Sequence, residues 1–113
     1  MTHEMHLHEL PFNQIKAGLK TIESRLNDEK RREFKVGDLI KIYKRPEAVE
    51  FVTVEITDLH VHKNFEDLFA ISIPQVFGGE DMQDLIESIH KYYSKEDEAK
   101  YGVVGIEFEK IAE

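Results

Sequence analysis

Gly18-Leu19-Lys20-Thr21-Ile22-Glu23-Ser24-Arg25 is where this chain turns from helix to strand. Upstream, Pro11 suits a first helical turn, and Phe12, Ile15 and Leu19 recur at the spacing of one helical face, which predicts a helix over residues 11–17. Gly18 closes it, because glycine enters the left-handed conformation without a Cβ penalty. Beyond the glycine the chain is extended. On a strand, Thr21, Glu23 and Arg25 point to one side and Ile22 to the other, so Ile22 anchors in a core while Glu23 and Arg25 share a wall. Lys20, at the turn, is free of that alternation. Two cations, one carboxylate and two hydroxyls therefore fall within six residues, which marks the stretch as the candidate site. The same residue types also make solvated ion pairs on surface strands, which contribute little.

Toward the N-terminus, Glu4-Met5-His6-Leu7-His8-Glu9-Leu10 alternates, with Met5 and Leu7 on one face and His6 and His8 on the other: a half-buried first strand ended by Leu10-Pro11. Residues 27–33 are polar and read as a loop carrying Lys30-Arg31-Arg32. A turn at residues 34–38 leads into a strand over 39–44, where Ile40 and Ile42 alternate with Lys41 and Tyr43. Pro46 interrupts, since proline removes a backbone donor. The strand over 51–62 is the strongest in the chain, with Val52, Val54 and Ile56 on one face and Thr53, Glu55 and Thr57 on the other, and it pairs with the preceding strand as a hairpin.

Asn64 caps a short helix with Glu66 and Asp67 in its first turn, and the helix ends near Ser72-Ile73-Pro74. Gly78-Gly79 breaks the chain, after which Met82, Leu85, Ile86 and Ile89 recur at helical spacing through about Tyr93. Tyr101-Gly102-Val103-Val104-Gly105-Ile106-Glu107-Phe108 is a closing strand that packs Val104, Ile106 and Phe108 on the core. Strands with two or three helices and no regular βαβ alternation indicate an α+β fold, best fitted by a small, partly closed mixed barrel. With 41% apolar residues, the 113-residue chain can bury a core without staples, so one domain over residues 1–113 is expected.

The chain has no cysteine, which excludes disulfides, thiolate metal sites and cysteine nucleophiles. It lacks an apolar run of membrane-spanning length, and its start has neither a basic nor an apolar leader region; a soluble cytoplasmic protein without a membrane partner is the expectation. The net charge of −8 is unevenly spread. Residues 1–45 carry ten Lys/Arg against seven Asp/Glu, and residues 46–113 carry five against sixteen, so the candidate site lies in the positive part.

His6-x-His8 and His60-x-His62 each place two imidazoles on one strand face, but exposed polar positions explain them equally, and no metal or cofactor is expected. Tyr43, Tyr92, Tyr93 and Tyr101 offer rings on which a base can stack. Glu80 and Asp81 come directly after Gly78-Gly79, where a loop can carry a carboxylate over a cleft, although acids also suit a helix start.

Gly18-x-Lys20-Thr21-x-Glu23-x-Arg25, the Val36-Gly37-Asp38 turn, Tyr92-Tyr93 and the closing strand at residues 101–108 together resemble the ASCH domain family, over roughly residues 6–108. The resemblance implies a PUA-like β-barrel whose cleft suits RNA, a nucleoside or a nucleotide. A small bacterial branch hydrolyses N4-acetylcytidine with a lysine, a threonine and a glutamate. The lysine corresponds to Lys20; where that branch has its threonine this chain has Glu23, and the glutamate matches Glu80 loosely.

The leading expectation is an RNA- or nucleotide-binding module with ligand contacts at Lys20, Thr21, Glu23, Arg25 and Tyr43. The alternative is a metal-independent hydrolase of a modified nucleoside or RNA, with Lys20, Glu23 and Glu80 as catalytic candidates and Arg25 stabilising an oxyanion. A protein-interaction domain using the acidic half is a third reading. Sequence alone leaves the oligomeric state open.

Overall fold

Alternating apolar residues build five strands, whose pairing is seen in a computed structural model describing residues 1–111. The strands are β1 (Thr2–Leu7), β2 (Ile22–Leu26), β3 (Leu39–Lys44), β4 (Phe51–His62) and β5 (Val103–Lys110); the helices are α1 (Glu9–Lys16), α2 (Phe65–Phe69), α3 (Met82–Ile89) and α4 (Lys95–Tyr101). Single 3-10 turns lie at Arg31–Glu33 and Pro74–Phe77. The sheet runs β1-β3-β4-β5-β2, with β1 and β3 parallel and every other pair antiparallel. It curls into a half-barrel of mixed α+β architecture, the PUA-like fold. The two edge strands are β1 and β2.

Each face of the sheet has its own core. Met5 and Leu7, Ile40 and Ile42, Val52, Val54 and Ile56, and Val104, Ile106 and Phe108 meet inside the curl, with Phe12 and Ile15 of α1. Ile22, Leu26 and Val103 point the other way and are covered by Phe65, Leu68, Phe69, Phe77 and Leu85. Burying one such side chain contributes about 1.5–3 kcal/mol.

The expected strands, the β3–β4 hairpin and the closing strand are present. Three details differ. The first strand ends at Leu7, because α1 starts at Glu9, with Pro11 still in the first turn, where its missing N–H costs nothing. The helix expected through Tyr93 stops at Ile89, and a fourth helix, α4, comes after it; Ser94 caps it by accepting from the Asp97 N–H at 3.1 Å. In β4 the register with β5 shifts between Ile56 and Asp58, and this bulge reverses the alternation. Beyond it Leu59, rather than Asp58, joins the inner core.

Candidate functional site

Gly18 takes φ +80° just past α1, and the chain folds back so that the Leu19 and Lys20 N–H groups both donate to the Gln14 carbonyl, at 2.9 and 3.1 Å. Thr21 then donates its N–H to the Val76 carbonyl at 2.9 Å and accepts from the Phe108 N–H at 3.0 Å. These bonds clamp Lys20 between α1, β5 and the 3-10 turn. Gly78 packs against it: a Cβ there would stand 2.9 Å from Lys20 Cδ.

Along β2, Glu23 lies opposite Ile106 and Arg25 opposite Val104, while Ile22 joins the other core. The expected sharing of a wall by Glu23 and Arg25 is present. Lys20 Nζ is 2.7 Å from Glu23 Oε1, and Arg25 Nε donates to Glu23 Oε2 at 2.9 Å. One buried carboxylate thus serves two cations. Burial raises the Glu23 carboxyl pKa, but the charges and hydrogen bonds of Lys20 and Arg25 outweigh it and hold the group below its ordinary 4.5. Burial likewise opposes the Arg25 charge, and Glu23 and the Tyr93 hydroxyl reverse the effect, so its pKa rises.

The triad lines a cavity of about 560 Å³ that lies between the two sheet edges. Its walls are His6 and Leu7 of β1, His8 at the start of α1, Gln14 of α1, the β2 residues, and Asp84, Leu85, Ser88 and Ile89 of α3, with Tyr92 and Tyr93 beyond. Lys20, Arg25 and Arg45 face it against Glu23 and Asp84, a surplus of one cation. Ser24 also lines it, and the buried Ser24 Oγ has no hydrogen-bond partner among the described residues.

Other candidates lie elsewhere. Thr21 does not line the cavity and serves it through its backbone. Tyr43 stands behind His6, with ring centroids 5.2 Å apart. Glu80 is exposed outside the cavity, and its N–H donates to Asp84 Oδ2 at 2.9 Å. The carboxylate that α3 does bring to the wall is Asp84. Its spacing of four from Ser88 placed both on one helix face, but nothing local said what that face would meet. Tyr92 and Tyr93 reach the cavity, whereas Tyr101 packs on the outer core. In the basic run, Arg31 pairs with Asp28 at 3.3 Å and Arg32 donates to the Asn27 carbonyl. The two histidine pairs are not neighbours. His60 instead bonds Glu107 at 2.7 Å with Asp58 at 3.8 Å, and these three offer metal-ligand atoms within 4.8 Å of one another.

Residues 5–112 match the ASCH domain family. The chain belongs to that family. This ASCH domain is 34% identical to the hypothetical protein PH0355, whose crystal structure it matches with a TM-score of 0.85 over 98% of this chain and 100% of that one. It is 33% identical to protein PF0455 from Pyrococcus furiosus, whose solution structure it matches at 0.76 over the full length of both. The fold also matches an ASCH domain from Lactobacillus crispatus JV V101, at 14% identity and a TM-score of 0.65, over 96% of this chain and 79% of that one. None of the curated proteins matches the sequence. Among the described residues, no helix of this ASCH domain is long and apolar enough to cross a membrane.

Proposed function

We propose that the cavity between β1 and β2 binds a nucleotide, free or as an unpaired residue of RNA. The observation that carries this is the Lys20–Glu23–Arg25 triad, buried on the wall of a cavity of nucleotide size, about 560 Å³. Two cations on one carboxylate keep a positive charge facing inward, which suits a phosphate or a carbonyl-rich base edge. Tyr92, 68% exposed, stands at the cavity with a ring available for stacking. ASCH domains are generally regarded as RNA-binding, which agrees. Equilibrium titration with ribonucleoside 5′-monophosphates and short RNAs tests it: binding lost in Lys20→Met while the fold is kept is the expected result, and binding unchanged in that variant overturns it.

A hydrolase acting on a modified nucleoside is the second reading, favoured by the enclosed Lys20–Glu23 contact of 2.7 Å. Glu23 in this setting is a weak base, because both its oxygens are held by cations. It orients Lys20 and Arg25 toward a developing oxyanion rather than taking a proton. Incubation with acylated and unmodified nucleosides, then mass spectrometry with Lys20→Ala alongside, separates turnover from binding.

A further inference from the structure

Three aromatic rings stand in one row on the outer face of the sheet. His6 of β1 is in register with Tyr43 of β3, and Tyr43 with Phe51 of β4. The His6 and Tyr43 rings stack with centroids 5.2 Å apart and planes within 17°, and the Tyr43 and Phe51 centroids are 5.7 Å apart. Lys41 Nζ, 4.3 Å from the Phe51 centroid, closes one end. The other end is open. Because β1 is an edge strand, no further strand supplies a ring beyond His6, which is exposed.

His6 also lies on a boundary. It lines the cavity of the triad and a second, more open depression, and the two share His6, His8, Leu10 and Arg45. The second adds Pro46, Ala48 and one carboxylate, Glu9. Nearby Lys16 and Lys44 are both engaged by Glu50. Arg45 has no ion-pair partner among the described residues, and it faces both hollows.

We infer that the site continues across β1 and takes single-stranded RNA of at least two nucleotides: one lies in the cavity, the next stacks its base on His6, and Arg45 contacts the phosphate between them. This rests on the nucleotide-binding reading of the cavity. A base laid on His6 becomes the fourth ring of the row, a contact open to any base but only when it is unpaired. The join at Arg45 places a cation where the linking phosphate must pass.

The test compares a mixed-sequence single-stranded hexaribonucleotide, the same sequence as a duplex, and the four ribonucleoside 5′-monophosphates. It is run on the native chain, Lys20→Met and Ala48→Asp. Ala48 lines only the outer depression, and its φ of +58° is one that aspartate tolerates, so the variant adds a negative charge there with little backbone cost. The expected result is a single strand bound about tenfold tighter than the monophosphates or more, with that gain lost in Ala48→Asp and monophosphate binding unchanged. Monophosphates that bind through Lys20 while the hexamer gains nothing, or keeps its gain in Ala48→Asp, overturn the extension and leave the cavity reading standing. A hexamer bound no better than the duplex also overturns it. Absence of any Lys20-dependent binding overturns both.

Discussion

The Lys20 ammonium lies 2.7 Å from Glu23 Oε1, and the two side chains are nearly enclosed, at 10% and 7% exposure. Arg25 holds the other oxygen, so Glu23 is a counter-ion shared by two cations. Removing it leaves both uncompensated, whereas removing Lys20 leaves a balanced Glu23–Arg25 pair. Glu23→Gln is therefore expected to lose about 3–5 kcal/mol of stability, and Lys20→Met clearly less. Urea unfolding of the two variants checks the order, and equal losses contradict the shared-counter-ion account.

Acid should act through the same carboxylate. Glu23 titrates below 4.5 in the folded chain, and Asp38, hydrogen-bonded by His3 and by the Lys35 N–H, titrates below 3.8. A carboxyl lowered on folding contributes stability that is fully present above its unfolded value and is lost as pH falls through the folded one. Stability should hold near neutrality and decline between about pH 5 and pH 2. The difference between native and Glu23→Gln proteins should shrink over the same interval, while the decline due to Asp38 persists in both. Denaturant titrations across that range read it, and a constant difference refutes the Glu23 share.

Two glycines separate backbone strain from damage to the site. Gly18 has φ +80° with open space around its missing Cβ; Gly78 has φ +93° and would set a Cβ 2.9 Å from Lys20 Cδ and from Gln14 Oε1. Alanine at either position is expected to cost about 1–2 kcal/mol for the left-handed backbone. Only Gly78→Ala should also weaken nucleotide binding, because the Lys20 stem must move. Calorimetric binding beside thermal unfolding distinguishes them, and equal affinities would remove Gly78 from the account of the site.

Ionic strength reports the phosphates. With two to four contacted, log K for single-stranded RNA should fall against log salt at a slope of about −1.4 to −2.8. Arg45→Gln should reduce that slope by about 0.7. A flat response in fluorescence anisotropy titrations would argue for a ligand recognised by its base alone.

Elements whose signal is local were legible in the residues alone. The apolar periodicity and Gly18 set the end of α1; alternation set β3, β4 and the inward residues of β5; and the two-residue step from Glu23 to Arg25 put both on one wall. Tertiary structure alone decided that β1 runs parallel to β3 and that β1 and β2 form the two edges, which opens the cavity between them. It also seated Lys20 on Glu23, kept Tyr43 behind His6, and brought Asp84 rather than Glu80 to the wall. The physical reason is reach. Periodicity and turn chemistry act over a few neighbours, whereas the Lys20 clamp depends on Val76, Gly78 and Phe108, more than fifty residues away, and no local pattern carries that contact.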